Sequence, residues 1–299
     1  MKRRKQGNGK KPRHEKRTQF VSALYLTPSV LGVLTFFVVP FCVVIYYALV
    51  NNPIQGRFVG IENFISVWEN RAFQRAATNS LMFSAIAVPL AVVLSLLLAV
   101  VMESRIPFKS RFRTFFLSPI MVPIASVVLI WQVLFHYNGI VNEWMRDLGI
   151  VKIDWLKSEY ALVPVVVLFL WKNLGYNMIL FMAALSSVPQ DLLEVASLEG
   201  ANAWQKFYKI KLRYLSSTIL FVAIMSLINS FKVFREVYLL TGDYPYDSLY
   251  MLQHFMNNTF KSLDYQKLSA AAIIMSLVII VLFFIMYRAE EYYGRDVEG

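Results

Sequence analysis

Cysteine is nearly absent from this chain. Its one example, Cys42, lies in an apolar run, which excludes an intrachain disulfide and a cysteine-based metal site. Histidine occurs at His14, His136 and His254, no two at ligand spacing, so no metal site is expected. No G-x-x-x-x-G-K-[ST] run is present, and the chain cannot cradle nucleotide phosphates by that route. No cofactor is expected in this chain. Charge is also scarce. Asp, Glu, Lys and Arg make up 16% of 299 residues, where a soluble domain carries about a quarter. Apolar residues fill the space, at 57% of the chain. These proportions describe an integral membrane protein.

The charge that is present is unevenly placed. The net charge is +11, and nine of the 30 basic residues fall in the first 17 positions. Nucleic-acid binding would need aromatic residues among them for base stacking, and none occurs before Phe20. Residues 1–23 read instead as a disordered cytoplasmic tail that touches anionic lipid. The apolar run that follows is too long for the core of a signal peptide, and no small-x-small cleavage site is clear.

Six apolar segments have the length and composition to cross a bilayer, which takes ~20 residues. They cover 24–49, 79–102, 113–135, 161–185, 214–234 and 267–287. Pro28 and Pro40 are expected to kink the first. The predicted class is an all-α membrane protein, with a six-span domain over 24–287 and a short cytoplasmic tail over 288–299. Six spans put both termini on one side. With the N-terminus inside, the inner segments hold 19 basic residues and the outer ones 7. The positive-inside rule therefore places both termini in the cytoplasm, and with them the polar segment 188–213.

That segment is strongly patterned. Pro189 suits a first helical turn, and Leu192, Leu193, Ala196 and Leu198 form a short apolar stripe. Gly200 suits a left-handed stop. Asn202 and Gln205 make a capping box for a second helix, which carries Trp204, Phe207, Tyr208 and Ile210. A helix–turn–helix knob between two spans is a handle for a partner.

Glu194-Val195-Ala196, Gly200 and Ile210-Lys211-Leu212 resemble the EAA loop of ABC importer permeases, E-A-A, three residues, G, nine residues, I-x-L-P. Val195 replaces the second Ala and Arg213 the closing Pro. Glu199-Gly200-Ala201 with Trp204-Gln205-Lys206-Phe207 is similar to the carbohydrate branch, of the maltose, glycerol-phosphate and oligosaccharide type. Trp171–Tyr176 and Phe231–Phe234 with Thr241-Gly242 extend the likeness. The resemblance implies a binding-protein-dependent inner-membrane component of a bacterial importer. It implies a second, related but different six-span permease, two cytoplasmic ATPase subunits and an extracytoplasmic sugar-binding protein. Glu194, Ala196, Gly200, Ala201, Trp204 and Phe207 would then couple the permease to the ATPase.

Ionisable groups at mid-membrane cost about 2.5–3.5 kcal/mol on insertion scales, so they tend to face a cavity or a partner. Lys172 lies in the fourth segment, with Lys232, Arg235 and Glu236 near the end of the fifth. Asn173, Tyr176 and Asn177 share one helical face, as do Asn229 and Lys232. Lys172, Asn173, Tyr176, Asn177, Asn229 and Lys232 are the expected substrate path, and amide, phenol and ammonium groups suit a carbohydrate. Span asparagines also bond across helices simply to hold them together, and Lys172 and Arg235 can snorkel. Two other functions compete. An ion-coupled transporter would need mid-membrane carboxylates or broken helices. A membrane enzyme would need clustered acids, bases or metal ligands.

Overall fold

The computed structural model describes residues 13–52, 54–103 and 108–294. Among these, all regular structure is helical apart from one isolated bridge between Val50 and Phe58. The first helix, α1 (Arg13–Val33), already includes residues 13–23, expected to be disordered. The rest of that expected tail, residues 1–12, lies outside the described residues. Pro28 sits inside α1 without breaking it. The irregularity comes at Leu34–Val38, a π-helical stretch that leads into α2 (Val39–Leu49). Pro40 has no N–H to give, and the wider ring, closed by Val39 N–H on Leu34 O, accommodates the shift.

After α3 (Glu62–Glu69) comes α4 (Arg71–Glu103), around which the bundle is built. Ala76, Ser80, Ser84, Ala87, Ala91, Ser95 and Ala99 recur every three or four residues along it, and all are buried. That stripe of small side chains lets neighbouring helices approach closely. The chain continues through α5 (Lys109–Met121), α6 (Ile124–Leu134), α7 (Ile140–Asp147) and α8 (Leu162–Ser186). The knob holds α9 (Gln190–Leu198), α10 (Ala203–Lys206), a π-helical turn over Phe207–Lys211 and α11 (Leu212–Tyr214). Then follow α12 (Ser216–Phe231), α13 (Phe234–Thr241), α14 (Leu252–Lys261) and α15 (Tyr265–Gly294). Helices α8, α12 and α14 pack directly on α4.

Among the described residues, five helical segments are long and apolar enough to cross a membrane: Leu24–Leu49, Arg71–Glu103, Glu159–Ser186, Ser216–Thr241 and Tyr265–Tyr292. The continuous third span expected over 113–135 is not observed. It is two helices, α5 and α6, meeting at 100°. Val122 precedes Pro123 and is driven into the extended region, at φ −88° and ψ 127°, which ends α5.

Helix α14 lies outside the five segments and buries His254 completely. Its Nδ1 accepts the Met251 N–H at 3.3 Å, its Nε2 has no partner, and the Phe234 ring meets it edge-on at 4.7 Å. Burial pushes the imidazole down to about 4, against the pull of the Asp243 carboxylate. The unfolded chain takes up this proton near the ordinary 6.5 and the folded chain does not. The neutral ring's contribution is therefore complete above about pH 6.5 and falls as pH drops toward 4. Thermal unfolding in detergent should show this loss, and His254→Asn should flatten it. An unchanged pH slope in the variant would assign the loss to other groups.

Candidate functional site: a polar recess and an exposed knob

Two features stand out. The first is a recess of about 400 Å³ between α5, α8 and the α12–α13 junction. It lies some 14 residues from the knob end of α8, about 21 Å along the helix. Close packing beside it is set by Gly175. A β-carbon there would sit 1.7 Å from the Phe116 carbonyl oxygen, so α5 and α8 touch backbone to backbone. Ile120, just ahead of the α5–α6 break, lines the recess from that side.

The polar lining is partly self-satisfied. Asn229 Nδ2 donates to Asn173 Oδ1 at 2.9 Å, and Asn173 Nδ2 donates to the Phe169 carbonyl at 2.8 Å. This chain of bonds fixes both amides and joins α12 to α8. Lys172 is ion-paired with Glu236, which is buried. The second carboxylate oxygen, Oε2, has no hydrogen-bond partner. Tyr176, Lys232 and Arg235 complete the polar edge. Lys232 caps α12 at the break before α13, so the chain turns where this ammonium enters.

Of the expected path residues, Lys172, Asn173, Tyr176, Asn229 and Lys232 come together in this recess. Asn177 does not. It is buried and donates to Ser226 Oγ at 3.1 Å, a bond that holds α8 to α12. Sequence reasoning left Arg235 and Glu236 out of the expected path, and both line the recess. Nothing in the sequence pairs Glu236 with Lys172 across 64 positions. Pro119 and Pro123 were readable signals of the nearby break.

The second feature is the knob. Helix α9 starts at Gln190 with Pro189 as its cap rather than inside its first turn. It ends in a Schellman motif: Ala201 N–H reaches Ala196 O at 2.9 Å, and Gly200 N–H reaches Ser197 O at 3.1 Å. Gly200 has φ +83°, the left-handed conformation that glycine takes without strain. The capping box is formed, with reciprocal 2.8 Å bonds between Asn202 and Gln205. Lys206 Nζ clips the two helices together through Ser197 Oγ at 2.9 Å. Leu193 and Ile210 pack against a buried cluster that includes Met102, Leu185 and Leu215, which seats the knob on the bundle. Lys211 Nζ adds bonds of 2.6 and 2.7 Å to the Glu103 carboxylate at the end of α4.

What the knob leaves uncovered is apolar. Leu192, Val195 and Leu198 are three residues apart and all exposed. Trp204 is 71% exposed, with the Tyr208 ring stacked nearly parallel at 6.5 Å. Phe207, Ala196 and Ala201 are half-buried, and Glu194 is exposed. Arg213, in place of a proline, keeps its N–H. The second helix runs on through the π turn and α11 to within one residue of α12.

The family described as "Binding-protein-dependent transport system inner membrane component" matches residues 91–298, which include the recess and the knob. The chain belongs to that family. It is a transport component and not an enzyme. The lactose transport system permease protein of Rhizobium radiobacter is 26% identical, covering 89% of this chain and 92% of that protein. The trehalose/maltose permease of Thermococcus litoralis is 27% identical, covering 91% and 94%. The sn-glycerol-3-phosphate permease of Pectobacterium atrosepticum is 26% identical, covering 92% and 95%. A chain from the crystal structure of a bacterial ABC transporter that imports the acidic polysaccharide alginate superposes with TM-score 0.79 at 20% identity, over 93% and 96% of the two chains. That likeness concerns the fold. A broken helix and a buried carboxylate are features that ion-coupled transport would need. Membership of this permease family decides against that alternative.

Proposed function

We propose that this permease carries a carbohydrate, an oligosaccharide, through the inner membrane of a bacterium as part of an ATP-driven ABC importer. The exposed apolar face of the knob is the observation that carries the reading. Hydrophobic side chains on a short helix with almost no core of its own need a partner to cover them. That partner is a cytoplasmic ATPase subunit: Trp204 and Phe207 fill its docking groove as anchors, and Glu194 accepts hydrogen bonds from it. The bent pair α5–α6 counts as one span, which makes six and puts both termini on one side, the cytoplasmic one by the excess of basic residues. A second, related but different permease completes the membrane part. Two ATPase subunits hold the ATP and magnesium, and an extracytoplasmic binding protein delivers the sugar.

Lys172, Asn173, Tyr176, Asn229 and Lys232 line the sugar's path, with Asn177 supporting it from behind. Closure of the ATPases on ATP moves the knob as a rigid lever, because the Schellman turn and the capping box hold it together and the Lys211–Glu103 bonds join it to α4. Access to the recess then alternates. The binding protein and ATP bias the equilibrium by preferring the outward state. The three relatives named above transport lactose, trehalose or maltose, and sn-glycerol 3-phosphate, as their names say, which supports a carbohydrate.

Orientation tests this reading. With Cys42 replaced by Ser, a cysteine at Ser262 should react with an impermeant thiol reagent on intact cells, and one at Ser197 only after the cells are opened. The reverse pattern would put the knob outside, beyond reach of any ATPase.

A further inference from the structure

The recess carries more positive charge than it neutralises. Lys172, Lys232 and Arg235 line it, and Glu236 is its one carboxylate among the described residues. Glu236 is already committed to Lys172. Lys232 and Arg235 are both exposed, three residues apart on the chain, and have no side-chain partner among the described residues. The recess thus keeps a net charge of +2.

Two cations lining one recess repel each other. Ion pairing is the usual remedy, and this chain applies it one turn away at Lys172 and Glu236. At Lys232 and Arg235 it does not. A guanidinium and an ammonium left open beside Asn173, Asn229 and Tyr176 make a composite site. The amides and the phenol suit hydroxyl groups, and the cations suit an oxyanion, which Arg binds in a bidentate fork. A neutral sugar offers these cations only hydroxyl acceptors, whereas an oxyanion adds the counter-charge and roughly doubles the strength of each bond.

We infer that the transported saccharide is acidic, and that its anionic group, a uronate carboxylate or a phosphate ester, lies against Lys232 and Arg235. The inference rests on the carbohydrate reading above and narrows it. Glu236 acts as a positioning residue. It holds Lys172 at the edge and keeps the recess from gathering a third open cation.

The test uses the full chain purified from its host membrane with the subunits it carries, in lipid nanodiscs. Trigalacturonate, glucose 6-phosphate and maltotriose are titrated separately, and the thermal midpoint of the complex is read. At least one of the two acids should stabilise the complex, and which one does identifies the anion. Maltotriose should have a much smaller effect. The double variant Lys232→Gln/Arg235→Gln should weaken the apparent affinity for the acid by about tenfold or more, the loss expected for charged hydrogen bonds. Lys232→Arg/Arg235→Lys should retain most of it. The inference is overturned if maltotriose stabilises as strongly as the acids, if neither acid has an effect, or if the Gln/Gln variant responds like the wild type. Mass spectrometry of the small molecule held by the co-purified binding protein separates the two levels. A neutral saccharide there overturns the charge inference alone, and a molecule that is not a saccharide overturns the carbohydrate reading with it.

Discussion

Glu194→Ala and Gly200→Val are expected to abolish saccharide uptake while leaving the permease in the membrane at normal abundance. The reasons differ. Glu194 is exposed on α9 and its carboxylate has no partner among the described residues, so its loss costs the isolated chain little. It removes a charged acceptor from the proposed ATPase contact, where such bonds are strong. Gly200 has open space around the position a β-carbon would take, with nothing within 4 Å. The cost of a side chain there is conformational, about 1–2 kcal/mol for a residue held at positive φ. The turn would relax, and with it the Schellman bonds from Ala201 and Gly200 that set the angle between α9 and α10. Trp204 would then point away from the groove proposed for it. Permease abundance, ATPase co-purification and uptake should be measured in the same strains. Abundance should stay near wild type and uptake should fall at least about tenfold, as expected when a contact at the centre of an interface is lost. Wild-type uptake in both variants would mean the knob does not couple.

Gly175→Val is expected to act in the opposite way, on the fold itself. The β-carbon would lie 1.7 Å from Phe116 O and 2.4 Å from Phe116 C, and both are backbone atoms. No rotamer change relieves that contact, so α5 must move off α8. Overpacking of this kind costs roughly 3 kcal/mol, the upper part of the usual range. The effect reaches the recess, because Lys172, Asn173 and Tyr176 lie within one turn of Gly175 and Ile120 one turn beyond Phe116. Abundance in the membrane should drop severely, and Gly175→Ala should give a milder loss of the same kind. Normal abundance with normal uptake would mean the two helices do not meet at this point.

The local parts of this molecule were legible in its sequence. The Gly200 turn and the Asn202–Gln205 box are settled within five residues by backbone conformation and side-chain reach, and the structure forms both. Five of the apolar runs were long enough to show as helices, though their ends moved: the second begins at Arg71 rather than 79. The third failed because hydropathy sees composition and not the constraint that Pro123 places on Val122. Long-range pairing was not legible. Residues Asn229 and Asn173 were each suspected, yet their bond to one another depends on how α8 and α12 pack. Asn177 was placed in the path on helical spacing alone, which cannot tell a face that lines a recess from one that meets Ser226. The small-residue stripe on α4 was there to be read, from Ala76 to Ala99, and explains why this helix lies at the centre.

ATP hydrolysed by partner subunits is expected to drive a saccharide through this chain. The direct measurement is made on proteoliposomes holding the complex purified through this chain, with its binding protein and the saccharide recovered from that protein outside. ATP trapped inside should drive accumulation of the labelled saccharide, with hydrolysis stimulated by the loaded binding protein, and an imposed ion gradient without ATP should give none. Accumulation driven by the ion gradient, or a chain that purifies without any ATPase, would contradict ATP-driven import through this chain.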